Sequence, residues 1–176
     1  MLKHNAFMLM LACMLAPITV VRPSPSMPFV QADGPYFATE SRERIDFQGV
    51  NLGNWFLMEA WMMGIHDIPD QHSIFQILDR RFGMKQRKAL IETHRDTWIT
   101  ESDFAGIREI GMNCVRLPIH YSMLLDVKAD DFMNTDGFVR LDRVLDMARE
   151  QGLYVFLDLH GVPGGQSMEQ PSGRVD

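Results

Sequence analysis

The chain has 176 residues, 46% hydrophobic, 10% aromatic and 23% charged, which excludes a disordered or collagen-like polymer. A net charge of −6 without any basic run argues against a nucleic-acid partner. Two cysteines, Cys13 and Cys114, and six histidines without HExxH-type spacing offer neither a disulfide framework nor a zinc site. No metal or cofactor is expected.

The N-terminus carries Lys3 and His4 and then an apolar run over residues 7–21. A basic start before an apolar core is the pattern of a secretory signal, assigned to residues 1–24. The run is short for a membrane span, which needs about twenty residues, and Pro17 would bend it. A single-pass anchor is the alternative. Residues 22–28 are a polar, proline-rich connector, so residues 25–35 read as a linker and residues 36–176 as the globular part. The expectation is a secreted or periplasmic protein with no stable membrane association after signal removal.

Within the globular part, residues 45–50 (IDFQGV) read as a short strand before a glycine-containing turn. Residues 76–94 are rich in helix formers but broken at Gly83, which predicts two helices. Thr100 followed by Asp103 has the shape of a capping box. Phe104, Ile107 and Ile110 supply an apolar helix face, and Gly111 suits the left-handed turn that ends it. Residues 113–119 form a largely apolar strand. Leu141, Val144, Leu145 and Ala148 then lie at helical spacing, and Gly152 closes that helix. Residues 153–159 are almost continuously apolar, which predicts a parallel strand buried on both faces. The βαβαβ order fits a doubly wound sheet or a β/α barrel. No nucleotide-binding glycine motif follows the first strand.

Polar residues gather where these strands end: Asn51, Asn54, Trp55 and Glu59 after the first, Arg116, His120 and Tyr121 at the second, Asp158 and His160 at the third. Ligands of α/β architectures bind at the carboxyl ends of parallel strands. Aromatic rings beside carboxylates and amides suit sugars, which have apolar ring faces and a rim of hydroxyls. Each residue also has a structural reading. Arg116 could simply pair with Asp158, His160 could cap a turn, and Trp55 and Trp61 could be core. Glu59 among Trp, Met and Leu is the odd one, because an ionised carboxylate there must find partners. His94 and Trp98 read as residues packing beneath the following helix.

Four blocks carry a resemblance: residues 49–59 (GVNLGNWFLME), 94–104 (HRDTWITESDF), 111–119 (GMNCVRLPI) and 157–166 (LDLHGVPGGQ). Together, in this order and spacing, they resemble glycoside hydrolase family 5, and most closely its exo-β-1,3-glucanase-like and bacterial cellulase-like members. The resemblance implies the N-terminal portion of a (β/α)8 TIM barrel, about the first three βα units, and retaining hydrolysis of β-glucans. Arg116 matches the arginine that supports the nucleophilic glutamate, and His160 matches an active-site histidine. Glu59 matches an acidic residue that binds terminal-glucose hydroxyls, and Asn54, Trp55 and Tyr121 join it as expected substrate contacts. Two neighbours depart from the exo-glucanase pattern: His120 stands where those members have glycine, and Ser122 where they have tryptophan. The linkage, β-1,3 or β-1,4, stays open.

In that family both catalytic carboxylates are glutamates, the first in an Asn-Glu-Pro-type motif, and this sequence has no Asn-Glu dipeptide. The expectation is therefore a fragment of such an enzyme that lacks the catalytic pair and is inactive alone, with a poly- or oligosaccharide as its partner. The alternative is a non-catalytic glucan-binding or membrane-anchored remnant.

Overall fold

The computed structural model describes residues 27–126 and 133–164. The signal assigned to residues 1–24 lies outside them. Two small sheets, four α-helices and two single-turn 3-10 helices, Ala60–Met63 and Tyr121–Met123, make up the described part. Strands β1 (Val30–Asp33), β2 (Tyr36–Thr39) and β3 (Arg44–Ile45) form an antiparallel sheet in the order β1-β2-β3. Strands β4 (Gly49–Asn51), β5 (Cys114–His120) and β6 (Tyr154–Gly161) form a parallel sheet in the order β4-β5-β6. Helices α1 (Gln71–Phe82), α2 (Met84–Thr97) and α3 (Glu101–Glu109) join β4 to β5, and α4 (Thr135–Glu150) precedes β6.

The hairpin β1–β2 occupies residues read from the sequence as linker and their first neighbours. Its loop is Gly34-Pro35 between the register partners Asp33 and Tyr36, and Gly34 takes the positive φ of +62° that such a loop demands. The strand expected over residues 45–50 is also divided. Arg44–Ile45 belongs to the first sheet and Gly49–Asn51 to the second. Between them the Asn113 carboxamide replaces a ladder: its Nδ2 donates to Asp46 O at 2.9 Å, and its Oδ1 accepts from Gln48 N at 2.8 Å. Phe47 packs edge-on against Phe37 of one sheet and against Tyr154 and Phe156 of the other.

The helix boundaries follow local chemistry. Gly83, at φ +79°, separates α1 from α2 as expected. The Asp103 carboxylate accepts from Thr100 N at 2.7 Å and lies 2.8 Å from Thr100 Oγ1, so the acidic half of the capping box is formed. Gly111 and Gly152 adopt φ of +90° and +65° beyond α3 and α4. Ile110, placed on the α3 apolar face by periodicity, is instead exposed, because it is the C-cap and has already left the helical spiral. Leu145 is likewise exposed, and Met147 takes a place on the buried face of α4.

Strand β5 is central. Its Val115, Leu117 and Ile119 form the core with Phe104 of α3 and with Leu141, Val144 and Ala148 of α4. Alternate residues, Arg116 among them, point to the opposite face. Pro118 is tolerated in this central strand because β4 has ended at Asn51, opposite Arg116, so the missing N–H has no ladder acceptor on that side. The expectation of two buried faces fails for β6: Phe156, Leu157 and Leu159 are exposed. Among the described residues β6 pairs with β5 alone.

Candidate active site

Parallel register sets the site. Asn51 of β4 faces Arg116 of β5, and Pro118 of β5 faces Asp158 of β6, two residues further along. Parallel partners share a face, so Asn51, Arg116 and Asp158 all project from one side of the sheet near its carboxyl end. The Arg116 guanidinium joins them. Nη1 donates to Asn51 Oδ1 at 3.1 Å, while Nη2 is paired with Asp158 Oδ2 and lies 3.1 Å from His160 Nδ1. His160 Nδ1 is also 3.0 Å from Asp158 Oδ2. Arginine only donates and a carboxylate only accepts, so Nδ1 serves Arg116 through its lone pair or Asp158 through a proton. The expected Arg116–Asp158 pair exists, yet it is half-exposed rather than buried, with His160 built into it instead of capping a turn.

Residues 53–59 approach the same end of the sheet, since Phe56 bridges to Ile119 and its carbonyl accepts from His120 N at 3.4 Å. Glu59 is buried, and its Oε1 accepts from Trp61 Nε1 at 3.2 Å, which supplies the partner that a carboxylate among apolar residues requires. Asn54 is fully buried at φ +60°; its Oδ1 accepts from Glu59 N at 2.9 Å, and its Nδ2 has no partner among the described residues. Trp55, expected as a sugar contact, is placed in the core at 3% exposure. It stacks on Phe56, and its indole N–H is spent on Arg95 O at 2.7 Å, so no ring face is offered to a ligand. Tyr121 follows β5 directly, its ring 4.4 Å from that of His120.

His120 ends β5, nearly buried, with Nδ1 2.8 Å from Ser122 Oγ. Burial first, then the nearby charges of Arg95 and His72, push its pKa down to about 4, so the ring is neutral at physiological pH. A cavity of about 720 Å³ lies between α2 and the first half of α4, with Ser122 and Met123, just past the end of β5, in its wall. Arg140 crosses it to pair with Glu92 and Asp96, which ties α4 to α2.

Sequence reasoning passed over the support beneath this site. His94 and Trp98, read as packing under the following helix, instead reach the loop that carries Asn54. Their spacing of four on one helix was the available signal.

The parallel sheet, its crossovers and the strand-end cluster define a class: an α/β fold with polar residues gathered at the carboxyl ends of its strands. Residues 80–173 match the model of the cellulase family, glycosyl hydrolase family 5. The chain belongs to that family. It is 38% identical over 136 residues to the glucan 1,3-beta-glucosidase of Blumeria graminis, an alignment covering 73% of this chain and 31% of that protein. A glucan 1,3-beta-glucosidase of Candida oleophila is 34% identical over 142 residues, covering 73% and 32%. The chain thus spans about a third of the length of the curated relatives it matches. A solved rutinosidase from Aspergillus niger superposes with a TM-score of 0.60 at 21% identity, over 73% of this chain and 37% of that one. This likeness supports the barrel fold.

Proposed function

We propose that the chain supplies the substrate-orienting part of an enzyme that hydrolyses β-1,3- or β-1,4-linked glucans with retention. The observation that carries this is the single guanidinium of Arg116, held between Asn51, Asp158 and His160 at the carboxyl end of a parallel sheet. Retention requires an acid/base carboxyl and a nucleophilic carboxylate about 5–5.5 Å apart. A cation fixed by three neighbours is suited to hold such a nucleophile ionised and oriented. Glu59 contributes a carboxylate that Trp61 anchors through Oε1. The likeness to glucan 1,3-beta-glucosidases favours a glucose polymer as substrate. Tyr121 completes the proposed sugar-facing set, and Asn54, fully buried, acts through its bond to Glu59 N.

The test uses the 176-residue chain with laminarin and laminaribiose. The expected result is laminaribiose binding that Glu59→Gln weakens, without release of glucose. Hydrolysis by the chain itself would overturn the proposed division of labour. A preference for cellobiose would shift the linkage to β-1,4.

We also place the protein outside the cell, on the signal-like pattern of residues 1–24. No helix among the described residues is long and apolar enough to cross a membrane. Mass spectrometry of the mature N-terminus tests this, and a retained Met1 would count against it.

A further inference from the structure

Residues 53–59 lie largely outside the regular strands and helices, so their backbone groups need partners from elsewhere. Two helices provide them. Gln71, the first residue of α1, accepts from Met58 N at 2.8 Å through Oε1. The end of α2 does more: His94 Nε2 lies 2.7 Å from Asn54 O, and Trp98 Nε1 donates to Gly53 O at 3.1 Å. In return, Trp55 Nε1 donates to Arg95 O, a carbonyl in the last turn of the helix. Because a carbonyl cannot donate, His94 must carry its proton on Nε2.

We propose that His94 and Trp98 are positioning residues that fix the Glu59 carboxylate by clamping Gly53 and Asn54. The proposal rests on the reading of Glu59 as a sugar-binding group. Asn54 is the pivot. Its φ of +60° is unfavourable for a residue with a Cβ and persists only where the surroundings over-determine it. Here the carbonyl is held by His94 and the carboxamide oxygen by Glu59 N. Releasing the carbonyl frees Asn54 to leave the left-handed region, which draws its Oδ1 away from Glu59 N. Arg140 of α4 in turn pairs with Glu92 and Asp96 on the same helix, which ties α2 to α4.

The experiment measures two things on the full chain: backbone hydrogen exchange at Glu59 and calorimetric binding of laminaribiose. The variants are H94A, H94Q, W98F and T93A, the last losing only a bond to Ala89 O within its own helix. H94A is expected to speed Glu59 exchange and weaken laminaribiose binding, each about tenfold, as loss of one restraining hydrogen bond implies. H94Q restores an N–H donor and is expected to recover both, and T93A to change neither. If H94A does not fold, W98F, which deletes the indole donor while keeping an aromatic ring, carries the same comparison. Unchanged Glu59 exchange in both H94A and W98F would overturn the proposal. A wild-type chain that ignores laminaribiose while Glu59 exchange still depends on His94 would overturn the sugar reading alone and support the clamp.

Discussion

Arg116 and Asn51 are register partners on adjacent parallel strands, and the guanidinium spans that pairing with Nη1 3.1 Å from Asn51 Oδ1. Its other end reaches the third strand, at Asp158 and His160. One side chain therefore ties together all three strands of the sheet. A lysine has the charge but not the planar fork, so it cannot satisfy three partners in fixed directions. In a double-mutant cycle, Arg116→Ala and Asp158→Asn should show a coupling of about 1 kcal/mol in urea unfolding, the scale of a half-exposed pair. A coupling near zero would mean that the pair adds nothing to stability.

His120 makes stability depend on pH. Its folded pKa of about 4 lies below the unfolded value of about 6.5, so between these values the unfolded chain binds the extra proton. Stability is thus full above pH 6.5 and falls as the pH drops toward 4. The loss reaches about 3 kcal/mol at the low end of the window. His120→Gln should lose less stability than the wild type between pH 7.5 and 4.5, as read from urea midpoints. Parallel losses in the two proteins would refute the assignment.

Gly137, in the first turn of α4, is required by close approach. A Cβ there would lie 1.5 Å from Met123 O, a backbone atom that cannot rotate away. Gly137→Ala should therefore destabilise by about 3 kcal/mol, despite the better helix propensity of alanine. A midpoint equal to or above wild type would show that the Tyr121–Met123 turn can shift.

Asn113→Ala removes both bonds that carry the chain from the first sheet to the second. Gln48 N and Asp46 O each lose a partner. The expected cost is about 2 kcal/mol in chemical denaturation, with amide exchange rising at Gln48. Protection at Gln48 equal to wild type would show that another acceptor replaces the carboxamide.

What could be read in advance was what local chemistry decides. Gly83, Thr100 with Asp103, Gly111 and Gly152 mark helix ends through φ or a short-range hydrogen bond, and all are found there. Arg116, Asp158 and His160 were legible because strand ends concentrate polar residues at predictable places, and the structure brings them together. The misreadings share a cause. The bridge that splits residues 45–50 comes from Asn113, more than sixty positions away. The Trp55 ring looks the same in sequence whether it faces a ligand or the core, and Phe56, Phe104 and Arg95 O decide that it is core. His94 and Trp98 needed the placement of α2 against a distant loop.

The chain has three tryptophans, and all report on one neighbourhood. Trp55 is sealed in the core, Trp61 holds Glu59, and Trp98 holds Gly53, with exposures of 3%, 52% and 42%. The intrinsic fluorescence of the protein therefore originates around the loop after β4. One emitter is shielded from aqueous quenchers and two are open to them. A change of emission or quenching on adding a ligand reads events at this loop, without a label, while the β1–β2 hairpin contributes no tryptophan signal of its own.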